Sequence, residues 1–175
     1  MTTTVDAEQQ QQQVQQLVDH SEITNLVYRL GLFLDDRRFD EMRSLLIEEA
    51  TVRTPGGTAE GREALIAQAS RNHHPDEPTQ HIITNVLVEL DGDRAEVRAN
   101  LVVNFAAPAS DEALPAPPRK YALGETYHFD VVRTSEGWRF SGVDARPVWI
   151  SPLSAAFLAA ALRRAGSPDR SPQPT

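Results

Sequence analysis

Cysteine is absent from the 175 residues of this sequence. Disulfide bonds, thiolate metal sites and a cysteine nucleophile are therefore excluded. Positive charge is scarce as well, since 17 Lys and Arg stand against 25 Asp and Glu and the net charge is −8. Proteins that bind nucleic acid need clustered basic side chains. Because the basic residues here are scattered singly or in pairs, we expect no nucleic-acid partner.

Long apolar runs are missing too. No run approaches the roughly 20 residues that span a bilayer. The first twenty residues are polar and lack the apolar core of a signal peptide. We therefore expect a cytoplasmic protein without a membrane partner.

Motifs for cofactors and acyl-enzymes are also lacking. The sequence has no glycine-rich phosphate loop, no serine nucleophile elbow and no HExxH motif, so we expect no cofactor. His73 and His74 are adjacent, and adjacent residues rarely turn both rings toward one ion. We assign both histidines to a loop and expect no metal site.

Polar low-complexity sequence is present at both ends and sets the predicted domain boundaries. Residues 1–13 form a Gln-rich extension, and residues 166–175, rich in Ser and Pro, are predicted to be a disordered tail. Residues 14–165 are predicted to fold as one domain, because a chain of about 150 residues buries enough surface for a core.

Hydrophobic periodicity predicts helices first and strands afterwards. Apolar residues recur at helical spacing from Val14 to Leu34, which indicates a long amphipathic helix with a break near His20 and Ser21. The next predicted elements are a short helix over 39–46, a strand over 50–53 and a helix over 61–70. The period then changes to two, which predicts long strands over 80–90, 94–105, 121–133 and 138–150. A Pro-rich flap over 107–118 and a final short helix over 153–162 complete the predicted elements.

Helices followed by a run of antiparallel strands indicate an α+β fold. We expect a cone-shaped, curved antiparallel sheet packed against the N-terminal helices and enclosing a pocket. Concave apolar pockets of this kind hold small molecules, so we expect a small-molecule substrate.

Strand parity places a carboxyl group in that pocket. Glu125 and Tyr127 share one face of their strand with Tyr121, Leu123 and Phe129. Burial among apolar side chains disfavours the charged form of a carboxyl group, which is how general acids and bases are tuned. The alternative is an ion pair between Glu125 and a basic residue across the sheet, Arg98 or Arg146.

Four stretches of the sequence resemble a known family. They read LDDRRFDEMRSLL (34–46), EEATVRTPGGTAEGREAL (48–65), TQHIITNVLVELDGDRAEV (79–97) and SEGWRFSGVDARPVWI (135–150). In their order and spacing they resemble the SnoaL-like branch of the nuclear transport factor 2-like superfamily, which includes scytalone dehydratase and ketosteroid isomerase. The resemblance implies a cone-shaped pocket and a homodimer or homotrimer formed through the outer face of the sheet. It does not fix the reaction, because the superfamily mixes enzymes with noncatalytic binding domains.

The resemblance implies a catalytic role for His81, since TQHII is similar to the stretch that holds the catalytic histidine of scytalone dehydratase. The Asp that orients this histidine in scytalone dehydratase appears as Leu32 here, while Asp35 matches a site Asp of bile acid 7α-dehydratase. The base and the oxyanion Tyr of ketosteroid isomerase match Thr54 and Leu30. The alternatives are structural: a hydrogen-bonded histidine at a strand end, and a surface Asp at a helix end.

Two charged residues of the last strand are further candidates. Asp144 and Arg146 share parity with Trp138 and Phe140, so we expect them at the open end of the cone. There Asp144 would orient His81, and Arg146 would hold an enolate or carboxylate. A structural ion pair is the alternative.

Parity also raises a difficulty for His81. The clearer apolar face of its strand carries Ile82, Val86 and Val88, and His81 lies on the opposite face. His81 reaches the pocket only if both faces are covered or if a β-bulge re-aims the histidine.

These residues predict a cofactor-independent lyase or isomerase, of the dehydratase or cyclase type. Its substrate would be a small apolar oxygenated metabolite, such as a polyketide or a steroid-like intermediate. His81 would remove a proton next to a carbonyl, and Tyr28, Tyr127 or Arg146 would donate a hydrogen bond to the oxyanion. The other predicted substrate-binding residues are Asn104 and Trp149. The alternatives are a noncatalytic binding or assembly domain and an epoxide hydrolase of the limonene type.

Overall fold

The computed structural model describes residues 2–107, 116–117 and 119–151. Its helices are α1 (Thr2–Asp35), a 3₁₀ helix (Phe39–Leu45) and α2 (Arg62–Asn72). Its strands are β1 (Leu46–Thr54), β2 (Gly57–Glu60), β3 (Thr79–Asp91), β4 (Arg94–Ala106), β5 (Arg119–Thr134) and β6 (Gly137–Ile150). The predicted helix over 153–162, the tail and most of the Pro-rich flap lie outside the described residues.

Helix α1 runs unbroken through His20 and Ser21, so the predicted break is wrong. Asp19, directly before that point, is buried and accepts hydrogen bonds from Arg133 (2.6 Å) and from the indole N–H of Trp138 (3.2 Å). These bonds fasten the helix to β5 and β6 where a break was expected. The exposed residues before Asp19 continue the helix away from the core.

The six strands form one curved, unclosed sheet in the order β2-β1-β6-β5-β4-β3, with the helices on its concave face. The predicted α+β architecture is confirmed. One pairing differs from the expected antiparallel sheet, because β1 pairs with β6 in parallel. Strand β2 was not predicted; Pro55 and Gly56 form the turn of a hairpin in which Thr54 pairs with Gly57.

A β-bulge in β3 re-aims the side chains of that strand. Asn85 and Val86 together lie opposite Ala99 of β4, and Asn85 adopts a positive φ of 53°. Odd-numbered residues face the helices before the bulge and even-numbered residues after it. His81 therefore faces inward on the same side as Val88, which resolves the difficulty of its parity.

A second bulge inverts the parity of β6. Phe140 and Gly142 pair with adjacent residues of β5, so Ser141 is an extra residue. After it, Val143 and Ala145 turn inward. Asp144 and Arg146 therefore lie on the outer face of the sheet, and the prediction that they extend the inner apolar face is wrong.

The core lies between the concave face and the helices. Its fully buried side chains include Ile23 and Val27 of α1, Phe129 of β5 and Phe140 of β6. The core fills the end of the cone near the β5–β6 turn, and a cavity remains near the other end. None of the described helices is both long enough and apolar enough to cross a bilayer.

Candidate active site

A cavity of about 470 Å³ lies between α1, α2 and the concave face of the sheet. Its size is within the range of small-molecule pockets. Most of its lining side chains are apolar. The titratable residues among the lining are His73, His81, Tyr121, Glu125 and Tyr127.

Asp35 and His81 form the closest polar contact of the cavity. The Nδ1 atom of His81 lies 2.6 Å from Oδ1 of Asp35, and the backbone N–H of His81 donates to Oδ2 at 2.8 Å. The hydroxyl of Thr79 donates to Oδ1 at 3.1 Å. Burial raises the pKa of Asp35, but these hydrogen bonds outweigh burial and leave the pKa below its usual value. Asp35 is therefore an ionised carboxylate near neutral pH.

The carboxylate determines which nitrogen of His81 is basic. An ionised carboxylate only accepts hydrogen bonds, so Nδ1 carries a hydrogen, and Nε2 is the nitrogen that has the lone pair in the neutral ring. The His81 side chain is 4% exposed and lines the cavity. The arrangement of Asp35 and His81 is that of a base whose conjugate acid is stabilised by a neighbouring negative charge.

The position of Asp35 comes from the way α1 ends. Arg37 adopts a left-handed conformation (φ 54°), and the N–H groups of Arg37 and Arg38 bond back to the carbonyls of Leu34 and Phe33. This is a Schellman motif, which usually has glycine at the left-handed position. It stops the helix at Asp35, beside β3.

Three positions that the resemblance singled out carry no titratable group. The resemblance matched the orienting Asp of scytalone dehydratase with Leu32. Leu32 is half exposed, and Asp35, one helical turn later, supplies the carboxylate instead. Leu30 and Thr54 do line the cavity, although neither carries a titratable group.

His73 also enters the cavity, which the sequence reasoning missed by assigning it only to a loop. Its ring centroid lies 5.5 Å from that of His81, and its Nδ1 donates to the carbonyl of Ala69 at 2.8 Å. Burial lowers the pKa of His73, so the ring is neutral near pH 7 with a bare Nε2. The sequence does contain a signal for the inward position of His73. Leu65, Ala69 and His73 follow one another at intervals of four residues, which places them on one face of a helix.

Arg37 holds the segment after α2 in place. Its guanidinium donates to the carbonyl oxygens of His74 (2.7 Å) and Glu77 (3.2 Å). Lys120 of β5 pairs with the carboxylate of Glu77 from the other side. These contacts fix the rim of the cavity next to His73.

Glu125 and Tyr127 of β5 face the cavity, as parity predicted. Glu125 is 6% exposed, and burial raises its pKa, although His81 and Tyr127 act in the opposite direction. Burial and the neighbouring Glu125 raise the pKa of Tyr127 well above its usual value, so its phenol stays protonated. The alternative ion pair is wrong, since Arg98 lies on the outer face of β4 and Arg146 bonds to Asp144.

Asp144 and Arg146 do not reach the cavity. Asp144 accepts hydrogen bonds from Arg53 (2.9 Å) and Arg146 (2.7 Å) on the outer face. The Arg53 guanidinium, followed by that of Arg146, holds the pKa of Asp144 far below its usual value. Asp144 is a structural ion-pair residue in this position and does not orient His81.

Three further predicted substrate-binding residues lie away from the cavity. Tyr28 is on the exposed side of α1, with 48% of its surface accessible. Asn104 is on the outer face of β4, where it accepts a hydrogen bond from Arg119 at 3.5 Å. Trp149 lies half exposed over Gly124 on the outer face. In residues 2–107, 116–117 and 119–151, no group of three or more His, Asp and Glu side chains is placed to hold a metal.

Comparisons with known proteins identify the same architecture. Residues 15–144 match the family model of the SnoaL-like domain. The chain is similar to the Kfla4162 protein of Kribbella flavida, with 26% identity and a TM-score of 0.68 over 82% of this chain and 97% of that one. No curated protein matches the chain in sequence.

Two more distant solved structures share the fold. The hexachlorocyclohexane dehydrochlorinase LinA-type3 of Novosphingobium barchaimii is 18% identical, with a TM-score of 0.68 over 82% of this chain and 95% of that one. A candidate scytalone dehydratase of Novosphingobium aromaticivorans is 20% identical, with a TM-score of 0.66 over 78% of this chain and 88% of that one.

Proposed function

The chain belongs to the SnoaL-like domain family, and we propose that it is a cofactor-independent lyase or isomerase of the dehydratase or cyclase type. The observation that carries the proposal is the 2.6 Å contact between Asp35 and His81, whose ring lines a mostly apolar cavity. An oriented histidine base in an apolar cavity suits the removal of a weakly acidic proton from carbon.

In the proposed reaction, Nε2 of His81 takes a proton from the carbon next to a carbonyl group. The resulting imidazolium keeps its Nδ1–H bond to Asp35, whose negative charge stabilises it. Negative charge develops on the carbonyl oxygen at the same time. The buried phenol of Tyr127 stays protonated and is placed to donate a hydrogen bond to that oxygen.

The lining of the cavity supports a small apolar substrate with a few oxygens, such as a polyketide or steroid-like intermediate. No Lys or Arg of the described residues lines the cavity, which disfavours substrates with several negative charges. Two similar structures bear the names of eliminating enzymes, a dehydrochlorinase and a candidate dehydratase.

The competing functions have less support. A noncatalytic binding domain needs an apolar cavity but has no use for a half-buried carboxylate bonded to a buried histidine. An epoxide hydrolase of the limonene type was suggested by Asp144 and Arg146, and both lie on the outer face.

We also propose a homodimer or homotrimer formed through the outer face of the sheet. Ile82 and Leu87 of β3 are both about half exposed on this face, at 46% and 57%. Exposed apolar side chains on one face favour association between protein surfaces.

The test of the reaction compares variants at the Asp35–His81 contact with variants at acidic residues away from the cavity. We expect His81→Gln and Asp35→Asn to lower turnover of β-hydroxy ketones by about 10²–10⁴-fold, the usual contribution of a general base. The unsaturated ketone formed is measured by its ultraviolet absorbance. Asp144→Asn and Asp36→Asn are the matched controls, because both residues lie away from the cavity, and we expect them to keep wild-type turnover.

Two results would contradict the proposal. Turnover by His81→Gln within a fewfold of wild type would exclude His81 as the base. A ketone panel that raises the melting temperature of the wild type without being converted would favour the binding domain.

A further inference from the structure

Glu125 is a buried carboxyl group without a cationic partner. It lines the cavity, and none of the ion pairs among the described residues includes it. The other titratable groups of the cavity lining come from several elements: His81 from β3, Tyr121 and Tyr127 from β5, and His73 from the end of α2. The inner side of α1 contributes Leu30 and Leu34, which are apolar.

Burial decides which form of Glu125 the cavity favours. The carboxylate of Asp35 is bonded to His81, and burial lowers the pKa of His73. Among the described residues, no Lys or Arg of the lining balances a second carboxylate, and an unpaired buried carboxylate is costly. The cavity therefore favours the neutral acid form of Glu125, and burial raises its pKa.

We propose that Glu125 is the general acid that protonates a departing hydroxyl group, so that the substrates are β-hydroxy carbonyl compounds that lose water. This inference rests on the proposed function, because it needs His81 as the base. It assigns Glu125 a catalytic role beyond substrate binding and narrows the reaction to dehydration.

The step balances within the residues of the cavity. Nε2 of His81 takes the proton from carbon, and the electron pair of that C–H bond forms the carbon–carbon double bond. The C–O bond breaks, its electron pair stays on oxygen, and this oxygen takes the proton of Glu125 and leaves as water. The imidazolium then returns its proton to the Glu125 carboxylate through the released water. Neither an oxidant nor a metal enters the balance.

The charge that His81 acquires determines when Glu125 transfers its proton to the leaving group. The positive charge that forms on His81 favours the ionised form of Glu125. Glu125 becomes a stronger acid just as the leaving group needs a proton. Hydroxide needs this help because water is a very weak acid, whereas a nitrophenolate ion leaves without a proton.

The experiment uses two ketones that give the same product, 4-phenylbut-3-en-2-one. One is 4-hydroxy-4-phenylbutan-2-one, which must lose hydroxide, and the other is 4-(4-nitrophenoxy)-4-phenylbutan-2-one, which loses nitrophenolate. We expect Glu125→Gln to lower kcat on the hydroxy ketone by at least about 100-fold. On the nitrophenoxy ketone its kcat should stay within about threefold of wild type, since general-acid help is not required. His81→Gln should lose activity on both ketones.

Glu96→Gln is the matched control, because Glu96 lies exposed on the outer face of β4 and should change neither rate. Equal loss by Glu125→Gln on both ketones, or no loss on the hydroxy ketone, would overturn the role of Glu125 while leaving His81 as the base. If the wild type converts neither ketone, or if His81→Gln converts both normally, the proposed function fails and this inference fails with it.

A second measurement needs no substrate. The infrared difference spectrum between wild type and Glu125→Gln at pH 7 should contain the carbonyl stretch of a protonated carboxylic acid. A difference spectrum that shows only carboxylate bands would overturn the inference even if the kinetic result agreed with it.

Discussion

The pKa values of two carboxyl groups of the site, Asp35 and Glu125, are shifted in opposite directions because their surroundings differ. Asp35 receives hydrogen bonds from Thr79 and from the ring and backbone of His81, and these hold its pKa low. Glu125 is buried, no Lys or Arg of the described residues forms an ion pair with it, and burial raises its pKa. Opposed pKa shifts of this kind suit the two carboxyl groups to different roles, Asp35 as the partner of the base and Glu125 as an acid.

The raised pKa of Glu125 has a consequence for stability. A carboxyl group whose folded pKa exceeds its unfolded value stabilises the protein below the unfolded pKa and loses that contribution as pH rises through the folded pKa. We therefore expect the free energy of unfolding of wild type to fall relative to that of Glu125→Gln as pH rises from about 4.3. Urea titrations at a series of pH values measure this difference. A constant difference would show that Glu125 ionises normally.

At the level of secondary structure, one extra residue in each of two strands determines which side chains face the cavity. The bulge at Asn85 turns His81 toward the cavity, and the bulge at Ser141 turns Asp144 away from it. Strand periodicity predicted the lengths of both strands well. It did not locate the bulges, because an extra residue changes the facing of a strand without changing its composition.

The bulge in β3 depends on the left-handed conformation of Asn85 (φ 53°). Glycine adopts this conformation freely, whereas a β-branched residue is strained there by roughly 1–2 kcal/mol. We expect Asn85→Gly to stay within about 0.5 kcal/mol of wild type in urea unfolding and to keep its activity. Asn85→Val should lose about 1–2 kcal/mol and some activity, because it disturbs the aim of His81.

The neighbouring Thr84→Val is the control for Asn85, since Thr84 is exposed and its φ is not positive. Equal effects of valine at both positions would mean that the bulge is not maintained by the conformation of Asn85.

At the level of the whole molecule, the outer face of the sheet combines ion pairs with exposed apolar side chains. If the protein is a homodimer or homotrimer, a charge on this face will oppose association, because it would be buried without a partner. We expect Ile82→Asp and Leu87→Asp to lower the mass measured by light scattering toward that of one chain. Leu17→Asp is the control, since Leu17 is also an exposed apolar residue, at 70%, but lies on α1. A wild type of one-chain mass at all concentrations tested would contradict the proposed assembly.

The amino-acid sequence by itself determined the order of helices and strands, the α+β architecture and the facing of Glu125 and Tyr127, because these depend on local hydrophobic periodicity. Only the tertiary structure decided that Asp35 contacts His81 across 46 residues of chain, that His73 joins them and that Asp144 does not. Such contacts depend on how one helix ends and on where two strands bulge. A shift of one residue there moves a side chain from one face of the sheet to the other. Neither the amino-acid composition nor the hydrophobic periodicity of the strand reveals such a shift.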